Sequence, residues 1–292
     1  MKENFNVLII CYNRSSNLTK LIKSVLKNTN SRIYIHQDGP KKNINEDKKI
    51  NNVREILKKF ENNRVIVFSQ EKNLGCYLAV KFAIDWAMKE SDYLLVLEDD
   101  LCIQDSAFTF IRNNIHLLSN SNIATISLFR DKMPNNIITK GMQISPLFNS
   151  WGWATSKAKW QLFNAEIGLW HSANIIYFVW CRYGYQFAYK LVLVNYKMRK
   201  NKLDSWAYRW FFTILSVKMV NVYPPQNFIK NIGFGKTATH TKSKNKIVFE
   251  NFKRYPSESI LTFLPNKNLE FDKYILKSRF GMTNFKKFPN VK

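Results

Sequence analysis

Four short apolar runs, separated by helix-period segments and polar turns, restrict this chain to a narrow set of folds. Val7-Leu8-Ile9-Ile10 is of buried-strand type, and after it Leu18, Leu21, Ile22, Val25 and Leu26 recur at helical spacing. Arg32-Ile33-Tyr34-Ile35-His36 reads as a second strand, closed by the turn signal Asp38-Gly39-Pro40. Val53, Ile56, Leu57 and Phe60 mark a further helix, Val65-Ile66-Val67-Phe68 a third strand, and Leu78 to Met88 another helix. Tyr93-Leu94-Leu95-Val96-Leu97 is a fourth strand, and it runs into Glu98-Asp99-Asp100. This alternation predicts an α/β fold with a mostly parallel central sheet flanked by helices. Such sheets bind ligands at the carboxyl ends of their strands. Tyr12-Asn13-Arg14, Gln37-Asp38-Gly39 and Glu98-Asp99-Asp100 all stand at those ends.

The second half is less regular. Ile123 to Leu128 fits a strand, and the Trp-rich stretch from Ser150 to Trp160 begins as a loop. Residues 161–200 read as helical, aromatic and basic, Ser205 to Val217 as a further helix, and Asn231 to Gly235 as a loop. The polar, Lys-rich tail after about residue 245 carries no assignable role.

A chain that is 46% hydrophobic and 15% aromatic can build a sizeable core, which excludes a disordered protein. The formal net charge of +24 admits nucleic acid, an anionic membrane surface or phosphate-bearing substrates as partners, and also a simple Lys-rich drift in composition. No recognisable nucleic-acid-binding module accompanies the charge, so nucleic acid is not an expected partner. Cys11, Cys76, Cys102 and Cys181 show no Cys-x-x-Cys spacing, which argues against zinc and for a reducing, cytoplasmic location. The N-terminus resembles no signal peptide, and no window has the length of uninterrupted apolar sequence that a spanning helix needs.

Three adjacent carboxylates at the end of an apolar strand repel one another and lose hydration, so they call for a cation. Hard oxygen ligands suit Mn2+ or Mg2+, held by one or two carboxylates with phosphate oxygens and water completing the shell. The triplet also fits a solvated acidic turn before the next helix. Neither a P-loop nor a Gly-x-Gly-x-x-Gly turn is present, so P-loop NTPases and dinucleotide oxidoreductases are disfavoured.

Here a resemblance becomes specific. "VLIICYNR" at 7–14, "HQDGP" at 36–40, "KNLGCYLAV" at 72–80 and "YLLVLEDDL" at 93–101 resemble, in order and spacing, the nucleotide-sugar-binding motifs of GT-A fold glycosyltransferases. "FNSWGWATSKAKW" at 148–160, "DSWAYRW" at 204–210 and "NIGFGKTATHT" at 231–241 are similar to bacterial relatives of the N-acetylglucosaminyltransferase I-like and glycosyltransferase family 2-like group. The resemblance covers roughly residues 5–241.

It implies a hexosyl- or N-acetylhexosaminyltransferase, inverting, using a nucleotide-sugar donor (a UDP-sugar) and a glycan or lipid-linked acceptor in surface-polysaccharide or glycoconjugate synthesis. Tyr12, Arg14, Asp38, Asn73, Gly75, Glu98 and Asp99 are then expected to hold the donor, with Asp100 as direct metal ligand. Trp151 and Trp153 are expected to shape the sugar pocket, with a purely structural Trp153 as the lesser alternative. His240 is an expected metal or phosphate contact and otherwise a surface histidine, and its neighbours Lys236 and Lys242 either meet the diphosphate or are solvated. The relatives often place an acid directly after the Trp of the 204–210 motif. Here Ala207 follows Trp206, so Asp204 becomes the expected catalytic base, and it also fits a helix N-cap.

The implied layout is a GT-A domain over 1–245, with a nucleotide-sugar half at 1–130 and an acceptor half at 131–245, then a C-terminal extension at 246–292. Residues 173–200 suit either an interfacial helix on an anionic leaflet, hence peripheral contact at the inner face of the membrane, or a core helix of the acceptor half. The alternatives are a sugar-phosphate nucleotidyltransferase, which usually has a Gly-rich N-terminal loop, and a basic nucleic-acid-binding protein.

Overall fold

The computed structural model describes residues 5–41, 44–132, 141–166, 169–233, 269–283 and 285. The elements run β1 (Asn6–Cys11), α1 (Leu18–Asn28), β2 (Ile33–Gln37), α2 (Ile44–Lys58), β3 (Val65–Ser69), α3 (Gly75–Ala87) and β4 (Tyr93–Glu98). Next come β5 (Leu101–Ile103), α4 (Asp105–Asn114), β6 (Ile123–Ser127), β7 (Gln143–Ser145), β8 (Trp153–Ser156) and the single turn α5 (Lys157–Trp160). The chain continues through α6 (Leu169–Tyr183), α7 (Tyr185–Arg199), α8 (Trp206–Ser216), β9 (Val220–Tyr223), β10 (Ile229–Asn231) and α9 (Leu269–Phe280).

The strands form a sheet in the order β3-β2-β1-β4-β8-β6-β9-β7, with β10 and β5 paired apart. β3, β2, β1 and β4 are parallel, and β8 enters antiparallel beside β4. Both halves of the chain therefore share one sheet. The parallel strands are near-continuous apolar runs because both of their faces are covered. Val7, Ile9 and Cys11 of β1 face one core with Leu18, Leu21 and Ile22 of α1 and Phe108 and Ile111 of α4. Leu8 and Ile10 face the other, under α3 and α8. Ala79, Ala83 and Ala87 keep the buried side of α3 small, so that helix lies close on the sheet.

A third core joins α6, α7, α8 and α9. The helical stretch expected over 161–200 is two helices, because Gly184 (φ 90°) breaks it in a conformation that disfavours other residues. Part of the tail to which the sequence assigned no role is integrated here: Phe271, Ile275 and Leu276 of α9 are buried. Asp272 accepts hydrogen bonds from Tyr183 Oη (2.7 Å) and Arg182 Nη2 (3.0 Å), tying α9 to α6.

β1 lies between β2 and β4, so the chain reverses its winding at the β1–β4 junction. Open α/β sheets bind ligands outside such a point. The registers pair Ile10 with Glu98 and Cys11 with Gln37, bringing three of the sequence-defined strand ends together.

Candidate active site

The acidic triplet closes the junction. Asp99 N–H donates to the Ile10 carbonyl (3.0 Å), carrying the β1–β4 ladder one step past the strand end. The buried Asp99 carboxylate turns back and accepts the Tyr12 N–H (3.1 Å), while Asn17 Nδ2 donates to the Asp99 and Leu101 carbonyls (3.1 and 2.9 Å). Asp99 thus has an internal bracing role, fixing the turn that presents Tyr12 and Arg14.

Arg14 Nη1 lies 2.6 Å from Asp100 Oδ2 and 3.6 Å from Asp99 Oδ1. Burial, together with Asp100 and Asp99, pushes Glu98 up to about 8. Burial raises Asp99 to about 6 against the pull of Arg14. Three carboxylates against one guanidinium leave the cluster short of positive charge. Asp100 Oδ1 is buried and has no hydrogen-bond partner. An orphaned carboxylate oxygen in an acid-rich pocket is a position that would suit a cation. Among the described residues no three His, Cys, Asp or Glu side chains form a metal cage by themselves. A cation on Asp100 would thus need phosphate oxygens or water to complete its shell.

Asp38 follows β2 and is nearly buried. Its Oδ1 accepts the Gly39 and Leu74 N–H groups (both 2.9 Å), and its Oδ2 accepts Asn73 Nδ2 (2.9 Å). Burial raises its pKa, opposed by the backbone N–H groups of Leu74, Gly39 and Gly75. The other Asn73 amide bond goes to the Gly39 carbonyl (2.9 Å). Asp38 and Asn73, expected as separate donor contacts, are thus one interlocked corner.

That corner runs directly into α3, whose first turn meets the expected base. Asp204 is exposed, and its Oδ1 accepts the Tyr77 N–H (3.1 Å). Gly75 has φ 81°, and a Cβ there would lie 2.8 Å from Asp204 Oδ2. Asp204 does not cap its own helix: Ser205 is the N-cap of α8, its hydroxyl accepting the Tyr208 N–H (3.4 Å). The cap alternative is therefore corrected, since the carboxylate serves α3, far away in sequence. Cys76 sits amid these groups. Burial and the carboxylates of Glu98, Asp204 and Asp38 together push its thiol up to about 12.

The tryptophans need a correction. Trp153 is 0% exposed and leaves no ring face for a ligand. It stacks on Trp206 (centroids 5.6 Å apart, 20°) and packs against Trp160, Trp210 and Phe148. Trp151 is half-buried on the other core, edge-on to Phe129 at 4.7 Å. Gly152, at φ 60°, lets the chain turn between the two rings, which lie on opposite faces of the sheet and share no pocket. Trp153 instead underpins Trp206 and so the start of α8, beside Asp204.

One residue that motif reasoning left without a role lies on the triplet. Ile232 N–H donates to the Asp100 carbonyl (2.8 Å), and Gly233 N–H to Asn231 Oδ1 (2.7 Å). A Cβ at Gly233 would lie 2.3 Å from Asp100 Oδ2 and 2.8 Å from Arg14 Nη1. The glycine in "NIGFG" was the available signal. His240, Lys236 and Lys242 lie outside the described residues.

A mixed sheet of this order, with acids closing β4 at the switch point, is the architecture of the GT-A fold, and with the family match over residues 6–113 the chain is a glycosyltransferase. Within that class, residues 6–113 match the model of glycosyl transferase family 2, from β1 through the triplet into α4. No curated protein matches the sequence significantly. Among solved structures, the chain is similar to a mannosyltransferase from Pyrobaculum calidifontis in complex with GDP-Man and Mn2+. Identity is 11%, coverage 75% of this chain and 69% of that one, and the TM-score 0.40. It is also similar to residues 1–349 of S. aureus TarS, at 11% identity, 80% and 61% coverage and a TM-score of 0.44. Neither likeness extends beyond the general fold.

Proposed function

We propose that this glycosyltransferase moves a sugar from a nucleoside-diphosphate sugar, a UDP-sugar, to a hydroxyl of a glycan or lipid-linked acceptor, with inversion, in the synthesis of a surface polysaccharide or glycoconjugate at the inner face of the cell membrane. The observation that carries this reading is that Asp38, through the Leu74 N–H, and Asp204, through the Tyr77 N–H, are both held at the start of α3, while Asp99 and Asp100 close β4. In this reading the donor half, proposed at 1–130, meets the acceptor half, proposed at 131–245, around these residues.

In this reading Tyr12, Asp38, Asn73 and Gly75 frame the base and ribose. Asp38 Oδ2 receives one bond within the chain and keeps acceptor capacity for the nucleoside. Asp100 Oδ1 holds a divalent cation, Mn2+ or Mg2+, with His240 as a further contact. That ion, when bound, neutralises the departing diphosphate. Arg14, 2.6 Å from Asp100, adds a fixed positive charge beside the leaving group. Asp204 takes the proton from the acceptor hydroxyl. Its Oδ1 is anchored by Tyr77 N–H while its exposure leaves the carboxylate open to an acceptor.

The test compares Asp204→Asn and Asp100→Ala over a panel of UDP-, GDP-, CMP- and dTDP-sugars with Mn2+. Asn still accepts the Tyr77 N–H, so Asp204→Asn keeps its fold and UDP binding while transfer falls by about 10²–10⁴-fold. Asp100→Ala loses both transfer and the thermal stabilisation by UDP with Mn2+. Full activity in excess EDTA defeats the metal assignment, and near-wild-type transfer by Asp204→Asn defeats the base assignment.

A further inference from the structure

Helix α7 is apolar on two sides. Phe187, Ala188, Leu191, Val194 and Met198 are buried in the third core. Tyr185, Tyr189, Val192, Leu193 and Tyr196 form a second stripe, at i, i+4, i+7, i+8 and i+11, and all five are exposed. A surface helix ordinarily turns charged residues outward from its core face. Exposed Tyr177 and Phe178 of the adjoining α6 add further aromatic surface. Beside the stripe, Ile176 and Trp180 of α6, Leu193 of α7 and Met282 wall an apolar cavity of about 710 Å³.

The charges carried by this segment of the chain are of one sign. Residues 169–203 contain no Asp or Glu but six cations: Arg182, Lys190, Lys197, Arg199, Lys200 and Lys202. Arg182 is engaged inside by Asp272. Lys197, Arg199, Lys200 and Lys202 are exposed at the carboxyl end of α7 and just beyond it. A second copy of the chain would bring two acid-free basic faces together. Residues 234–268 carry seven Lys and Arg against two Glu, so this segment too is of the wrong sign to complement the face. An anionic bilayer matches every part: its headgroups take the Lys and Arg, tyrosine rings favour the headgroup level, and Val192 and Leu193 reach the acyl boundary.

We propose that the outer face of α7, continued by α6, is a membrane-docking surface for an anionic lipid bilayer. This rests on the reading of the acceptor as lipid-linked for its biological purpose, since docking would set the active site at the leaflet that holds such an acceptor, but its test needs no turnover. No helix among the described residues is long and apolar enough to cross a membrane, and the proposed contact is a peripheral one.

The experiment is co-sedimentation of the full chain with phosphatidylglycerol–phosphatidylcholine vesicles and with pure phosphatidylcholine vesicles. The wild type is expected to bind the first and not the second, and to release as salt rises. Each basic side chain contributes roughly fivefold, so Lys197→Gln/Arg199→Gln/Lys200→Gln is expected to bind on the order of a hundredfold more weakly. Val192→Glu/Leu193→Glu is expected to lose at least about tenfold, since it removes apolar contact and adds repulsion. Circular dichroism and hydrolysis of the UDP-sugar without vesicles should be unchanged in both. The triple variant alters only exposed side chains, so it decides the matter even if the double variant fails to fold. The proposal is overturned by absent wild-type binding, by equal binding to both vesicles, or by variants that bind like wild type. It is equally overturned by a dimer in sedimentation velocity that the double variant abolishes without any vesicle binding. If vesicle binding holds and no nucleotide sugar is turned over, the donor reading fails and the docking surface stands.

Discussion

Replacing Gly233 by Ala tests whether the segment after β10 really clamps the acidic triplet. The added Cβ would lie 2.3 Å from Asp100 Oδ2, about 1 Å inside an ordinary carbon–oxygen contact. Two relaxations are open. Asp100 can rotate away and lose its 2.6 Å ion pair with Arg14, a charge-assisted bond whose loss costs about 1.5–3 kcal/mol. Or the loop can lift, losing the 2.8 Å bond from Ile232 N–H and the 2.7 Å bond at Gly233 N–H, each contributing about 0.5–1.5 kcal/mol. Either way the unfolding free energy falls by about 1–3 kcal/mol, as for other overpacked sites. The effect on function is larger, because a displacement of about 1 Å in a positioning group can cost roughly 10²-fold in rate. Urea unfolding measures the first quantity, and UDP-sugar turnover with a UDP-plus-Mn2+ thermal-shift titration measures the second. A variant that keeps wild-type turnover and midpoint would show that this loop does not press on Asp100.

Further outcomes follow from the same geometry. Gly75→Ala places a side chain at φ 81° and 2.8 Å from Asp204 Oδ2, so it should cost about 1–2 kcal/mol, lower kcat by displacing Asp204 and raise donor KM at the nucleoside frame; an unchanged kcat would contradict the positioning of Asp204. Trp153→Ala should destabilise by about 3–5 kcal/mol, and urea unfolding that shows under 1 kcal/mol would return Trp153 to a pocket role. Burial lowers His36 to about 4 from its ordinary 6.5, so its contribution is present above pH 6.5 and lost as pH falls through 4. That loss amounts to about 3 kcal/mol, and His36→Gln should remove this part of the acid destabilisation; an unchanged pH dependence of unfolding would refute it.

The parallel half of the fold was legible in the chain because it is written in local pattern. A fully buried strand needs an unbroken apolar run, and a helix covering it needs apolar residues at helical spacing, so β1 to β4 and their helices declare themselves one by one. The carboxylates at 98–100 were legible for the same reason, since an acid cluster just past a buried run must stand at a strand end. What the tertiary structure alone decided concerns partners far apart in sequence. The sequence favoured a sugar pocket for Trp153 over a core, and only the packing of Trp206 and Trp210 over it makes the choice. An Asp before a helix suits a cap, but Ser205 holds that place, and the donor to Asp204 lies 127 residues away on Tyr77. Gly233 is one glycine among nine until the chain returns it to the Asp100 carboxylate. The second apolar face of α7 likewise emerged only once the first had been buried, because a helix rich in Tyr, Leu and Val does not reveal from its composition which side the core will take.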